Sequence, residues 1–276
     1  MRVALVQMTA GDDPAANLVQ TNTLIAEAVS QGAGFVLTPE VTNCVSQDRR
    51  HQSAVLHPEE TDPTLAGLRE TAIRQGVWVS VGSLAVKTDD ADGRFANRSF
   101  LIDPSGKIVA RYDKIHMFDV TVSETETYRE SAGYRPGETA VVAETPFAKI
   151  GLSICYDLRF AYLYRALAQA GAQVLLVPSA FSPVTGAAHW EPLLRARAIE
   201  TGSYVLASAQ TGVHPAIKGK PRQTYGHAMA VSPWGEVLVD MGTQTGVAVV
   251  DLDLAEVAKS RQRISALTHD RPFKGP

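Results

Sequence analysis

The chain has 276 residues, 45% hydrophobic and 20% charged, with a formal net charge of -3 and two cysteines. These figures suit an ordinary globular protein of one large or two small domains. They exclude the basic face that nucleic acid calls for, the apolar run of roughly 18 residues that spans a bilayer, and a framework of disulfides or paired zinc ligands. The first eight residues read as a strand too short and too soon polar for a secretory signal, so a cytoplasmic, reducing setting is expected. Such a setting suits a protein that needs a free thiol.

In chain order, residues 3–8 are apolar and β-branched and predict a strand. Residues 14–31 carry Leu18, Ile25 and Val29 at helical spacing, and Gly32 and Gly34 end that helix. A second strand begins at Phe35 and stops at Pro39 and Glu40. Residues 65–75 predict a helix and 77–86 a long strand. Segments 97–103 and 107–112 flank Pro104, Ser105 and Gly106, which predict a hairpin turn. Next come strand 149–155, helix 162–171, strand 174–180, helix 189–202 and strand 204–209. A second hairpin lies within 229–239, around Ser232, Pro233, Trp234 and Gly235. Hairpins mixed with strand–helix–strand units predict an α/β fold with mixed sheets. No nucleotide-binding glycine loop, repeat or linker appears, so a single domain over 1–276 is expected.

Three of these strands run into a polar side chain: Glu40 after 35–38, Lys114 after 108–112, and Cys155 at the end of 150–154. Singly, each has a bland reading as a solvated charge or a core cysteine. Strand ends of α/β folds are nevertheless where side chains converge on ligands. A thiol with a reference pKa of about 8.5 is mostly protonated near neutrality and needs a base or a nearby cation. A carboxylate can take its proton, and an ammonium can stabilise a thiolate and then an oxyanion. Glu40, Lys114 and Cys155 thus offer base, electrophilic stabiliser and nucleophile for acyl transfer. The Tyr156 backbone N–H, just after the nucleophile, is a natural second oxyanion donor, a type worth about 2.7–4 kcal/mol in the chemical step.

Pro39 and Glu40, Lys114-Ile115-His116, and the run from Gly151 through Cys155, Tyr156 and Asp157 to Phe160 closely resemble the three signature regions of the nitrilase superfamily of carbon–nitrogen hydrolases. The resemblance runs in order from Val3 to Leu252. It implies a four-layer α-β-β-α sandwich with mixed sheets, built into homodimers or larger homo-oligomers, with the tail at about 255–276 taking part in those contacts. It also implies a Glu40–Lys114–Cys155 triad assisted by Glu130, and no metal or organic cofactor. Matches around Lys114 to Val120, Glu130 and Ser131, Thr185 to Glu191, Arg195 to Glu200 and Tyr225 to His227 resemble the amidases of α-keto-acid amides. Deaminated glutathione amidase and ω-amidase stand together in that branch, and Tyr225 and Thr201 lean towards the first. One departure is Tyr162, where members commonly carry an acidic residue; it bears on how the following helix is anchored and on the finer substrate assignment.

The expected partner is therefore a small-molecule amide, with no nucleic acid and no membrane. Arg159 could clamp a substrate carboxylate or pair internally with Asp157 or a nearby glutamate. Phe118, Thr185, His189 and Trp190 are candidates for the pocket wall, against the plainer reading of packing. The loop 212–222 carries His214, Lys218, Lys220 and Arg222, which are either solvated or suited to a second carboxylate. Cys44 has no apparent partner and reads as structural, and Tyr112 and Asp113 as setting the turn that presents Lys114. Two rivals stay open: a Cys–His hydrolase with His116 or His189 as base, and a nitrilase-like module that binds without catalysis.

Overall fold

The computed structural model describes every residue except Ser123, Thr125, 218–220 and Pro276. Lys218 and Lys220 of the basic loop therefore lie outside the described residues. The first half runs β1 (Arg2–Met8), α1 (Pro14–Ser30), β2 (Phe35–Leu37), α2 (Arg49–Val55), α3 (Pro63–Gln75), β3 (Trp78–Lys87), β4 (Phe95–Ile102) and β5 (Ile108–Asp113). Short strands follow: β6 (Asp119–Thr121), β7 (Thr127–Arg129), β8 (Tyr134–Arg135), β9 (Val141–Glu144) and β10 (Lys149–Leu152). Then come α4 (Ala161–Gln169), β11 (Val174–Leu176), α5 (Pro183–Thr201), β12 (Tyr204–Ala207), β13 (Ala209–Val213) and β14 (Gln223–Tyr225). The described chain closes with β15 (Met229–Val231), β16 (Val237–Asp240), β17 (Gly246–Asp251) and α6 (Ala255–Arg263).

One sheet is ordered β14-β13-β1-β2-β3-β4-β5, with β17 beside β1 and β8 beside β4; the other is β16-β15-β12-β11-β10-β9. Both are mixed: β1, β2 and β3 are parallel, and β3, β4 and β5 antiparallel. Successive strand residues face opposite sides, and β1 shows what that does here. Val3 and Leu5 join the core shared with Ile150, Leu152, Val174 and Leu176 of the second sheet. Ala4, Val6 and Met8 join Ile25, Ala28, Leu68 and Ala72 of α1 and α3. Leu163 and Leu167 of α4 and Leu194 and Ala198 of α5 pack on the second sheet. The layers are therefore α-β-β-α, as the resemblance implies.

The predicted helix over 189–202 begins earlier, at Pro183. Ser182 accepts from the Thr185 N–H, and proline occupies the first turn, a start signal that needs no periodicity. The strand predicted over 204–209 divides at Ser208, where the chain passes from the second sheet into the first. There the Ser208 hydroxyl donates to Leu37 O at 2.7 Å and accepts from Val6 N at 3.1 Å. Gly82 is tightly packed, beside an irregularity in the β3–β4 pairing. A Cβ there would meet Thr38 O at 2.0 Å, Pro39 O at 2.5 Å and Pro178 Cβ at 2.5 Å. Glycine lets the end of β2, and with it Glu40, rest against the neighbouring strand and the second sheet.

Candidate active site

Three chain turns meet at the same end of the two sheets. Glu40 follows β2, Lys114 follows β5, and Cys155 follows β10 by three residues. Cys155 is not the last residue of a strand, as the sequence suggests, but the first of a short 3-10 turn, with φ of 50°. A non-glycine residue in the left-handed region is strained, and such strain persists where its surroundings over-determine it. The Cys155 N–H donates to Pro178 O at 3.0 Å and fixes the turn. Asp157, fully buried, is the second anchor. It accepts from Ile154 N at 2.9 Å, the Tyr112 hydroxyl at 2.6 Å and His116 N at 3.0 Å, with His116 Nδ1 at 2.6 Å. One carboxylate thereby ties both flanks of Lys114 to the turn that carries Cys155.

Lys114 and Glu40 are almost completely buried. The Lys114 ammonium donates to Glu40 Oε1 at 2.8 Å and to both Glu130 oxygens at 2.9 Å. Glu40 also accepts from Asn97 Nδ2 at 2.9 Å on Oε1 and from Ala180 N at 2.8 Å on Oε2. Glu130 accepts from Phe118 N at 2.6 Å. Burial alone would raise the Glu40 pKa, but the Lys114 charge and its hydrogen bond outweigh that, as do smaller contributions from Arg222 and the Cys155 thiol, and hold Glu40 below the usual carboxylate value. Burial works against the Lys114 charge too, and Glu130 and Glu40 more than reverse it, so the ammonium titrates well above its ordinary range. The Cys155 thiol is pushed up, first by burial and then by the Glu40 charge, against the opposing pull of Lys114. At rest the site is a neutral thiol beside an ionised carboxylate and a locked ammonium.

These groups open on a cavity of about 420 Å³. Glu40, Lys114, Glu130, Cys155, Phe118, Tyr156 and Thr185 line it, together with Asn97, Tyr128, Arg49 and Arg222. No acceptor among the described residues takes the Tyr156 N–H. Other expectations need correcting. Trp190 is sealed in the core, with its indole N–H on His227 O at 2.7 Å and its ring against Phe181, and does not reach the cavity. His189 is exposed and holds Arg159 at 3.2 Å. Arg159 neither lines the cavity nor pairs with Asp157, whose oxygens are taken; its guanidinium stands 5.8 Å from the Tyr156 ring and 5.9 Å from that of Phe181.

His116 has both ring nitrogens engaged, one by Asp157 and the other by the Tyr162 hydroxyl, and stacks on Phe160 at 3.6 Å. Tyr162 is thus tied to the turn that carries Lys114. His214 is buried between Ala10 O and Thr224 Oγ1, its pKa lowered to about 4 by burial. Cys44 also lines the cavity, but its Sγ faces the Asp12 carbonyl. Asn97, the Ala180 N–H and the anchor at Asp157 were not singled out in the sequence, because each acts through a partner distant in the chain. Among the described residues no group of three or more His, Cys, Asp or Glu is placed to hold a metal ion, and no helix is long and apolar enough to cross a membrane.

The carbon–nitrogen hydrolase family model matches residues 2–262. The deaminated glutathione amidase of Yersinia enterocolitica is 39% identical over 272 residues, covering 98% of this chain and 92% of that one. The crystal structure of the C. elegans NitFhit protein superposes with a TM-score of 0.90 at 35% identity, covering 98% of this chain but 65% of that one. A mutant of the amidase from Nesterenkonia sp. AN1, showing Michael addition of acrylamide at its active-site cysteine, has a TM-score of 0.77 at 28% identity, with 96% and 98% covered. With the triad's geometry and a match over nearly its whole length, the chain belongs to the carbon–nitrogen hydrolases of the nitrilase superfamily.

Proposed function

We propose that the chain hydrolyses a linear, carboxylate-bearing amide through a thioester on Cys155, with deaminated glutathione as substrate and α-ketoglutarate and Cys-Gly as products. The observation that carries the reading is the Lys114 ammonium, held between Glu40 and Glu130 on the wall of the cavity that Cys155 lines. The curated relative's name supplies the substrate.

Glu40 takes the thiol proton as Sγ attacks the amide carbonyl carbon. Transferring the proton within the reaction suits a thiol whose pKa is raised and a carboxylate whose pKa is lowered. The carbonyl oxygen, now negative, is held by Lys114 Nζ and the Tyr156 N–H. Glu130 grips Lys114 with both oxygens, so one donor can turn to the oxyanion while the other keeps the ammonium in place. The C–N bond then breaks, and the departing amine takes the proton from Glu40. Water enters, gives a proton to Glu40 and attacks the thioester carbon. The acid leaves as the C–S bond breaks, and the proton returns to sulfur. Glu130, which touches Lys114 rather than the reacting carbon, acts as a positioning residue.

The reading includes a cytoplasmic setting and a homo-oligomer, supported by two free thiols and by exposed apolar side chains at Ile264 and Phe273 of the tail. The test of the substrate compares α-ketoglutarate release from deaminated glutathione and from α-ketoglutaramate, with Cys155→Ser as control. Faster release from the first is expected. Preference for the second would make the chain an ω-amidase, and release from neither would remove the proposed substrate.

A further inference from the structure

Arg222 immediately precedes β14 and reaches the cavity wall. One of its nitrogens donates to Ala180 O at 2.6 Å, and the N–H of the same Ala180 donates to Glu40 at 2.8 Å. The guanidinium is therefore separated from the catalytic carboxylate by a single residue. Its Nε is buried with no hydrogen-bond partner, and among the described residues no carboxylate pairs with it. Two of the other three cations on the wall are differently occupied. Lys114 is held by two carboxylates, and Arg49 donates to the carbonyls of Gly93 and Gly133 and lies over the Phe95 ring at 3.7 Å. Four cationic side chains, Arg49, Lys114, Arg129 and Arg222, line the cavity against two carboxylates, Glu40 and Glu130. A partly buried guanidinium with an unused donor is costly to keep unless an anion completes it.

We propose that Arg222, and not Arg159, receives the carboxylate on the acyl half of the substrate. The assignment deepens the amidase reading and rests on it. A guanidinium offers a fork of N–H donors that matches a carboxylate and fixes its orientation as well as its charge. With Nη2 anchored on Ala180 and Nε sealed in the wall, Nη1 and the second N–H of Nη2 are left for the ligand. The carboxylate would then hold the acyl chain against the wall that carries Glu40, which sets the distance between this anchor and Sγ and hence the length of acid accepted. Tyr128, also on the wall, feels the Arg222 charge and so stands near the same subsite. Arg159, with a nitrogen on His189, is not on the cavity wall.

The test reads protection of Cys155 from iodoacetamide, followed by peptide mass, with α-ketoglutarate as the protecting probe and its neutral dimethyl ester as the uncharged comparison. Each protein is compared with its own unprotected rate. Arg222→Gln is expected to raise the half-protecting concentration of α-ketoglutarate by about 10- to 100-fold, the usual worth of a charge-assisted hydrogen bond. Arg222→Lys should fall between, because it keeps the charge and loses the fork. Arg159→Gln should shift it less than either. In the unmutated chain the dianion should protect at lower concentration than the ester, which keeps the proposal open to test should Arg222→Gln fail to fold. Equal protection by dianion and ester, an unshifted Arg222→Gln curve, or a larger shift in Arg159→Gln would overturn it. Failure to cleave deaminated glutathione would instead refute the substrate reading and leave these curves where they are.

Discussion

Cys44 and Cys155 line the same cavity, and both are buried free thiols. Burial raises the pKa of each, Cys44 to about 12. What separates them is company. Around Cys44 the remaining influences are the Asp12 and Asp13 charges, which also disfavour a thiolate. Around Cys155 a carboxylate is placed to take the proton and an ammonium to hold negative charge as it appears. The backbone differs as well, since Cys155 sits at positive φ and Cys44 does not. Location in a pocket and a perturbed thiol therefore do not single out the proposed nucleophile; what Cys155 has and Cys44 lacks is a neighbouring carboxylate–ammonium pair and a turn at positive φ.

The largest effect that would break the comparison is on turnover. Cys155→Ser is expected to lower amide hydrolysis by at least about 10⁴-fold, as loss of a nucleophile does elsewhere. Cys44→Ser should stay within about threefold of the unmutated rate. Steady-state rates, with intact mass to seek the acyl adduct, read both. If Cys44→Ser abolished the adduct and Cys155→Ser did not, the assignment would be reversed.

Next in size is the base. Glu40→Gln should lower turnover by about 10²- to 10⁴-fold, and the pH profile should carry the same signature. Lys114 holds Glu40 below the ordinary glutamate value of 4.5, so the acid limb of kcat/KM is expected below pH 4.5. Lys114, raised above 10.5, should contribute no alkaline loss below that pH. The stability sign follows from the same shift: the Glu40 contribution is fully present above the unfolded value and is lost as pH falls through the folded one. A histidine base would put the limb near pH ~6.5, so an acid limb there would remove Glu40 from the role.

Much of this was legible in the sequence, for a local reason. Glu40, Lys114 and Cys155 each follow an apolar strand, and an apolar run that stops at a reactive side chain can be read along the chain. The two-sheet layering followed from the family resemblance, and the single β1 strand shows its alternation plainly. What escaped depends on pairings across 45, 57 and 140 residues: Tyr112 with Asp157, Asn97 with Glu40, and the Ala180 N–H with Glu40. The first and third exist only once the two sheets are packed, and the second only once β2, β3 and β4 are aligned in one sheet. Trp190 was miscast as a pocket wall because an aromatic residue one turn from candidate ligands looks the same from sequence whether it faces the cavity or the core. The close approach at Gly82 was invisible for the same reason, since nothing near it in the chain announces Pro178.

The smallest effect is also the sharpest on backbone. Glycine usually destabilises relative to alanine by roughly 0.5–1 kcal/mol, because the unfolded chain gains freedom. Cys44→Gly should therefore be less stable than Cys44→Ala by about that amount. At Cys155 the order should invert. A Cβ at φ of 50° carries the left-handed penalty of about 1–2 kcal/mol, which alanine keeps and glycine removes. Cys155→Gly is thus expected to be about 1 kcal/mol more stable than Cys155→Ala. Both members of each pair lack the thiol, so lost sulfur packing largely cancels in the comparison. Urea denaturation of the four variants measures the two differences directly. The same sign at both positions would mean that the Cys155 turn stores no strain, and that the sulfur is presented by the backbone hydrogen bonds of the turn alone, that of Cys155 N–H to Pro178 O among them.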